Sequence, residues 1–314
     1  MVLNPNPNEN KIVRIKTEHS EYIKTLFDVL KEILTEAVIT FIGDNDSIEK
    51  KEEEEESSNS DDDCKKEVEK KKQKKIQSGI KIVAVDDQQS LMIYVKLDAE
   101  NFADYYVKFK KYSIGIDLKE LYKFMKNVDK DSVMTMSIDS DDQQKLEFHL
   151  QNQIKSMEKN HKQKLLDTDD NNHRMPNQTS FEITVLMYTA EFKKICSDLN
   201  QFSEYVEIQC SSKEIIFKCV GDQTDTSIKL KGGEGCSVKI MCLKTDGKKV
   251  PFVQGIYSLK HLITFGRCIN LCTNMQLCLR NSYPMFICYK VGCLGKMLVG
   301  LSPTMHQKML NKKN

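Results

Sequence analysis

One pattern recurs four times along the chain and limits the folds open to it: a strand, an amphipathic helix, then several strands. Apolar residues at helical spacing predict helices over Glu21–Leu34, Leu118–Val128, Ala190–Asn200 and Leu259–Asn270. Their inward stripes include Ile23, Leu26, Phe27 and Leu30 in the first and Leu118, Leu121, Phe124 and Met125 in the second. The third buries Phe192, Ile195, Cys196 and Leu199, and the fourth Leu262, Ile263, Phe265 and Ile269. Alternating apolar residues predict strands between them, among them Ile12–Lys16, Ile80–Val85, Leu91–Leu97, Tyr205–Cys210 and Met285–Val291. Two halves, each with two helices and eight or nine strands, imply an internally duplicated α+β protein.

Two polar stretches interrupt the pattern. Residues 45–78 hold almost nothing apolar to bury and read as a solvated insertion. Counted from Asp44, its charge is split and sums to −4: Asp44–Asp63 carries 11 acidic residues and 2 lysines, whereas Cys64–Ser78 carries 7 lysines and 2 glutamates. The second stretch, 151–178, reads as an interdomain linker, strand-like at its start. The expected division is an N-terminal domain over 11–150, the connector 151–178, a C-terminal domain over 179–303 and a polar tail at 304–314.

Composition removes several classes. No apolar run approaches the ~18 residues of a membrane span, and MVLNPNPNENK lacks the apolar core of a secretory signal. The 11 cysteines form no C-x-x-C pair and several lie in strand-like runs, which points to reduced buried thiols in an intracellular protein. No H-x-x-x-H pattern occurs and no metal or other cofactor is expected. Gly232, Gly233 and Gly235 do not form a phosphate loop, and the acid pairs Asp86–Asp87 and Asp169–Asp170 lack a partner constellation. No catalytic residue is assigned.

The helices carry the functional signal. Opposite the apolar stripes lie Lys24 and Lys31, then Lys119, Lys123 and Lys126, then Lys193 and Lys194, then Lys260 and Arg267. Lysine-rich faces are often merely solvated, and recurrence on four helices weakens that reading. Arginine is scarce, at four residues. Lysine meets phosphate as a point charge, so contact with a nucleic-acid backbone would be blind to sequence.

The order of residues resembles a known family. EFKKICSDLNQFSEYVEIQC followed by SIKL, GIKIVAVDDQQSLMIYVKL, KLLDTDDNNHRMPNQ and YPMFICYKV with LVGLSP stand in series at family spacings. Together they are similar to proliferating cell nuclear antigen, the eukaryotic-type DNA sliding clamp, over nearly all of 11–303 outside the insertion. The resemblance implies a DNA clamp fold and a ring of three subunits around double-stranded DNA. It implies a processivity factor for DNA polymerase in replication and repair, loaded by an ATPase, without enzymatic activity, membrane or cofactor. It places the protein in the nucleus or at another site of DNA replication.

By position, the resemblance assigns DNA contact to Lys24, Lys31, Lys123, Lys126, Lys194, Lys260 and Arg267, with Lys193 basic on the same helix. Ser197 and Gln201 replace two basic positions of the third helix. It assigns the docking of client peptides to Asp86, Gln89, Leu91, Met175, Pro176, Pro284, Leu301, Ser302 and Pro303. Gln89 stands for the family's histidine and Gly300 for its usual aromatic, so the client motif is expected to differ. The implied ring joins a strand within Lys155–Lys162, unusually polar for that task, to the Ile228–Leu230 strand of the next subunit. A clamp-fold accessory factor of transcription or checkpoint signalling, assembling with other subunits, is the alternative. Deletion of 45–78 is expected to leave folding intact, because the segment has little to bury; thermal unfolding of soluble deleted protein checks this.

Overall fold

The computed structural model describes residues 8, 10–44, 77–86, 90–167, 180–221, 223–233, 235–243 and 252–304. The insertion 45–78, apart from Gln77 and Ser78, lies outside the described residues, as do Gln89, Met175 and Pro176.

The first half runs β1 (Lys11–Thr17), α1 (Ser20–Ile33), β2 (Glu36–Ile42), β3 (Gly79–Val85), β4 (Leu91–Asp98), β5 (Asp104–Val107) and β6 (Lys111–Asp117). It continues with α2 (Leu118–Met125), β7 (Val133–Asp139), β8 (Lys145–Asn152) and β9 (Met157–Lys164). The second half runs β10 (Ile183–Tyr188), α3 (Thr189–Leu199), β11 (Tyr205–Cys210), β12 (Glu214–Val220), β13 (Asp225–Lys231) and β14 (Val238–Cys242). It closes with β15 (Val253–Ser258), α4 (Leu259–Gly266), β16 (Asn274–Leu279), β17 (Met285–Val291) and β18 (Gly295–Leu301). One sheet has the order β5-β1-β7-β8-β9, a second β13-β12-β11-β15, and a nine-stranded sheet β14-β10-β16-β17-β18-β4-β3-β2-β6 joins the halves.

Each half is an interlocked pair of strand–helix–strand units. The strand before one helix pairs with the strand after the other: Glu36 opposes Asp117, Thr17 opposes Met134, Tyr205 opposes Ser258 and Tyr188 opposes Asn274. The helix starts are tied the same way. Leu118 N–H donates to Thr35 O (2.9 Å) and the Ser20 hydroxyl to Asp129 O (3.2 Å). Leu259 N–H donates to Glu204 O (2.9 Å), and Thr189 uses its N–H on Thr273 O (2.8 Å) and its hydroxyl on Cys272 O (3.0 Å). Ser20 and Thr189 are fully buried, so losing either bond would strand a buried polar group at about 1–3 kcal/mol. At α2 the Asp117 carboxylate adds an N-cap, accepting from Lys119 N–H (2.8 Å) and Glu120 N–H (3.0 Å).

The helices pack side by side, α1 on α2 and α3 on α4, with α1 also touching α4 and the 3-10 turn Arg267–Asn270 that extends it. The expected inward stripes are buried from Ile23 to Phe265, although Phe124, Ile263 and Ile269 stay partly exposed.

Three differences from the sequence reading have physical causes. β6 and β15 were not expected; each carries a central glycine, Gly115 or Gly255, which reads as a break in a strand. At Gly255 an added Cβ would lie 2.6 Å from the Tyr257 hydroxyl, so that ring occupies the space a side chain would need. The stretch 151–178 is not a linker throughout. β8 runs to Asn152, and β9 follows after the turn 153–156. β9 has no apolar alternation and is held by its pairing with β8, by Gln163 Nε2 donating to Asp117 O (2.9 Å) and by His161 stacked on Phe124 at 4.4 Å.

All ten cysteines among the described residues are free. Burial pushes the Cys196 and Cys210 thiols up to about 12, so they are poor nucleophiles. Alkylation of the folded protein by iodoacetamide at pH 7.5 is expected to label Cys236 and Cys293, which are exposed, and to spare Cys196, Cys210 and Cys268; peptide mass mapping reads the pattern.

A candidate nucleic-acid interface and docking groove

The solvent side of the helix layer brings the expected cations together, and the structure divides them into two kinds. Lys119 and Lys126 on and just after α2, Lys193 and Lys194 on α3 and Lys260 on α4 are exposed, and no ion pair among the described residues engages them. Lys193 lays its stem over Gly266, where a Cβ would come within 3.0 Å of its Cγ, so a small residue lets α3 and α4 approach.

The other cations are engaged inside the molecule. Lys24 donates to the carbonyls of Lys126 and Val128, each at 2.8 Å, and so caps the C-terminal end of α2. Lys31 lies 3.1 Å above the Tyr122 ring and also meets Asp28 (3.1 Å) and Glu32 (3.5 Å). Its side chain is only 17% exposed. Arg267 pairs with Glu32 at 2.5 Å, joining the 3-10 turn of the second half to α1 of the first. Lys123 pairs with Glu120 at 2.6 Å, though both remain well exposed. Sequence spacing placed all these cations on outward faces and could not show which ones meet a carboxylate from a neighbouring helix.

On the opposite side of the nine-stranded sheet lie the residues expected to dock clients, and here period-2 geometry corrects the assignment. Leu91 and Leu301 oppose each other, but both are 2% exposed and point to the helix side with Ile93, Val95 and Val299. The side chains available to a client at this end are their neighbours Val85 and Met92, which oppose each other on the outer face. Asp86 is used locally: its carboxylate accepts from Leu91 N–H (2.6 Å) and the Ser90 hydroxyl (2.7 Å), closing the β3–β4 turn. Pro284, Ser302 and Pro303 lie at the same end and are partly or fully exposed. Ser302 N–H is bonded to Ser90 O at 2.9 Å.

Gly300 has a structural answer. Phe286 opposes it in the sheet, and a Cβ on Gly300 would lie 2.9 Å from the Phe286 ring. The aromatic missing from β18 is thus supplied by β17. Phe286 is backed by Phe181 (5.7 Å) and Tyr283 (6.1 Å). The adjacency of Phe286 and Gly300 depends on strand pairing, so sequence order alone did not reveal it.

Among the described residues, β9 at one end of the five-stranded sheet and β13 at one end of the four-stranded sheet are each paired along one edge only. No group of His, Cys, Asp and Glu among the described residues could hold a metal ion, and no described helix is long and apolar enough to cross a membrane.

Comparison with known proteins matches this arrangement. The family model of the proliferating cell nuclear antigen N-terminal domain covers residues 62–173, and that of the C-terminal domain covers 175–304. A probable DNA polymerase sliding clamp of Acanthamoeba polyphaga mimivirus is 25% identical over 300 residues, spanning 94% of this chain and 63% of that protein. A probable DNA polymerase sliding clamp of Paramecium bursaria Chlorella virus 1 is 23% identical over 299 residues, 94% of this chain and 98% of its own. Proliferating cell nuclear antigen of Chaetomium thermophilum is 26% identical over 227 residues, 72% of this chain and 85% of its own. With two domain models matched in tandem over most of its length, the chain belongs to the proliferating cell nuclear antigen family of DNA sliding clamps.

Proposed function

We propose that this chain forms a closed ring of three copies around duplex DNA and tethers a DNA polymerase and other clients as a processivity factor. The observation that carries this reading is the continuous layer of four helices with Lys119, Lys126, Lys193, Lys194 and Lys260 on its solvent side. Amine-to-phosphate contacts of this kind hold DNA without reading bases, and weak, salt-sensitive contacts permit sliding. Lys123 joins them once its exposed pairing with Glu120 yields to phosphate. Lys24, Lys31 and Arg267 act differently: they hold the helices in place and contribute positive potential rather than direct contacts. A loader ATPase opens the ring, and the work is done wherever the DNA is replicated.

The ring closes by strand addition. The free edges of β9 and β13 are eight and seven residues long, enough to continue one sheet into the next subunit. Burial holds the His161 imidazole below its ordinary value, so at neutral pH the β9 edge does not gain a further charge from it. Static light scattering at micromolar concentration is expected to give three times the chain mass; a persistent monomer would end the ring reading.

Polymerase extension on primed circular DNA, with a loader and ATP, tests the function itself. Lys126→Glu, Lys194→Glu and Lys260→Glu together are expected to shorten retention to a similar degree on every template sequence. The slope of log affinity against log salt should fall by about 1 per lost phosphate contact. Loss confined to particular template sequences would contradict backbone contact.

A further inference from the structure

We propose that the outer face of the nine-stranded sheet binds an acidic peptide segment, carried by a client whose apolar residues dock in the adjoining groove. This rests on reading that groove as the client site.

The observation is a row of lysines. Lys81 opposes Lys96, Lys96 opposes Lys296, and Lys296 opposes Lys290, on the four neighbouring strands β3, β4, β18 and β17. Directly opposed residues share a face of the sheet. The alternate positions Ile82, Val95, Met297 and Tyr289 are buried, and the Tyr289 hydroxyl donates to Phe265 O of α4 (3.1 Å), which marks that side as the helix side. The lysines therefore line the other face, in a row of roughly 14 Å at ~4.8 Å per strand. Lys111 of β6 belongs to the same cluster. Burial first, then the charges of Lys96 and Lys111, pull the Lys81 ammonium below its ordinary value. Among the described residues the cluster meets one carboxylate, Asp98, which pairs with Lys96 at 2.9 Å; Lys96 also donates to Gln77 Oε1 at 2.6 Å.

Lysines commonly guard exposed strand edges against unwanted pairing. β3, β4, β18 and β17 are interior strands, so that explanation fails for this row. Like charges directly opposed are destabilising. Spacings of about 5 Å lie inside the Debye length of roughly 8 Å, so physiological salt does not remove the repulsion. A polyanion would.

The surroundings select the kind of polyanion. The row contains no arginine for bidentate reading, and the ring beside it, Tyr94, is partly buried, which leaves little face on which a base could stack. Beside it runs a partly buried row, Val83, Tyr94, Leu298 and Cys288, and the next rung holds Met92 and Phe286 at the groove. Lys96 and Met92 are four residues apart on β4, about 13 Å, a span an extended peptide covers in roughly four residues. A client should therefore carry carboxylates about four positions from its docked apolar residues.

The test uses the full-length protein with two fluorescent probes, an octaglutamate peptide and a twelve-nucleotide oligothymidine, read by anisotropy at low salt. Two variants are compared, Lys81→Gln/Lys290→Gln/Lys296→Gln on the sheet and Lys126→Gln/Lys194→Gln/Lys260→Gln on the helices. The sheet variant is expected to lose octaglutamate affinity at least tenfold, and the helix variant less than twofold. Since Lys81 is partly buried, Lys290→Gln/Lys296→Gln alone serves as a second variant and should lose at least threefold. Equal losses from both faces, no loss from the sheet, or a sheet-specific loss of oligothymidine instead of peptide would each overturn the proposal. Retention on circular DNA, measured on the same proteins, reads the clamp function separately: the sheet variant should keep it. A wild-type chain that binds octaglutamate on the sheet but is not retained on DNA would sink the clamp reading and leave the anion site standing.

Discussion

The sheet strands of the two halves join at one pair, β4 and β18, in an antiparallel register from Gly295 opposite Leu97 to Leu301 opposite Leu91. The pleat sends alternate residues of both strands to opposite faces, so this register decides what each face of the molecule is made of. Leu91, Ile93, Val95 and Leu97 face the helices with Met297, Val299 and Leu301, and none is more than 2% exposed. A slip of one residue would turn all of them outward and bring Lys96 and Lys296 into the core. The same register puts the helices of both halves in a single layer, where Glu32 of α1 can meet Arg267 beyond α4.

The two faces treat lysine differently because their surroundings differ. In the helix layer, carboxylates and carbonyl groups from neighbouring turns lie within reach, and Lys24 and Lys31 are engaged by them. The lysines left over are spread across α2, α3 and α4. On the outer sheet face the pleat holds the Lys81, Lys96, Lys296 and Lys290 side chains parallel and close, and the one carboxylate among them, Asp98, serves Lys96. A net charge of +1 for the chain therefore says little about either surface.

Much of the fold was legible. Helical periodicity located all four helices to within a few residues, because their stripes, such as Ile23, Leu26, Phe27 and Leu30, are buried by the sheets directly beneath. Strands with apolar alternation, such as Tyr205–Cys210 and Met285–Val291, were equally plain. The strands that escaped were those whose stability comes from partners rather than from their own residues. β6 and β15 are interrupted by glycine, and β9, polar along its length yet fully paired with β8, was expected only through the family resemblance. The site was legible at the level of residue type and less so at the level of role. The cations were found on the helix layer, but Leu91 and Leu301 were placed in the groove although the pleat sends them inward.

By itself, the sequence determined the α+β class, the fourfold repeat, the reduced cysteines and the positive helix faces, because each follows from residue type and local spacing. Tertiary structure alone decided which cations meet carboxylates, which strand edges stay free, that Phe286 fills the space over Gly300 and that four lysines align on one face. Those facts join residues as far apart as Lys81 and Lys290. Their contact is set by register between strands, and register depends on pleat, pairing and the core beneath, none of which a single stretch of chain contains.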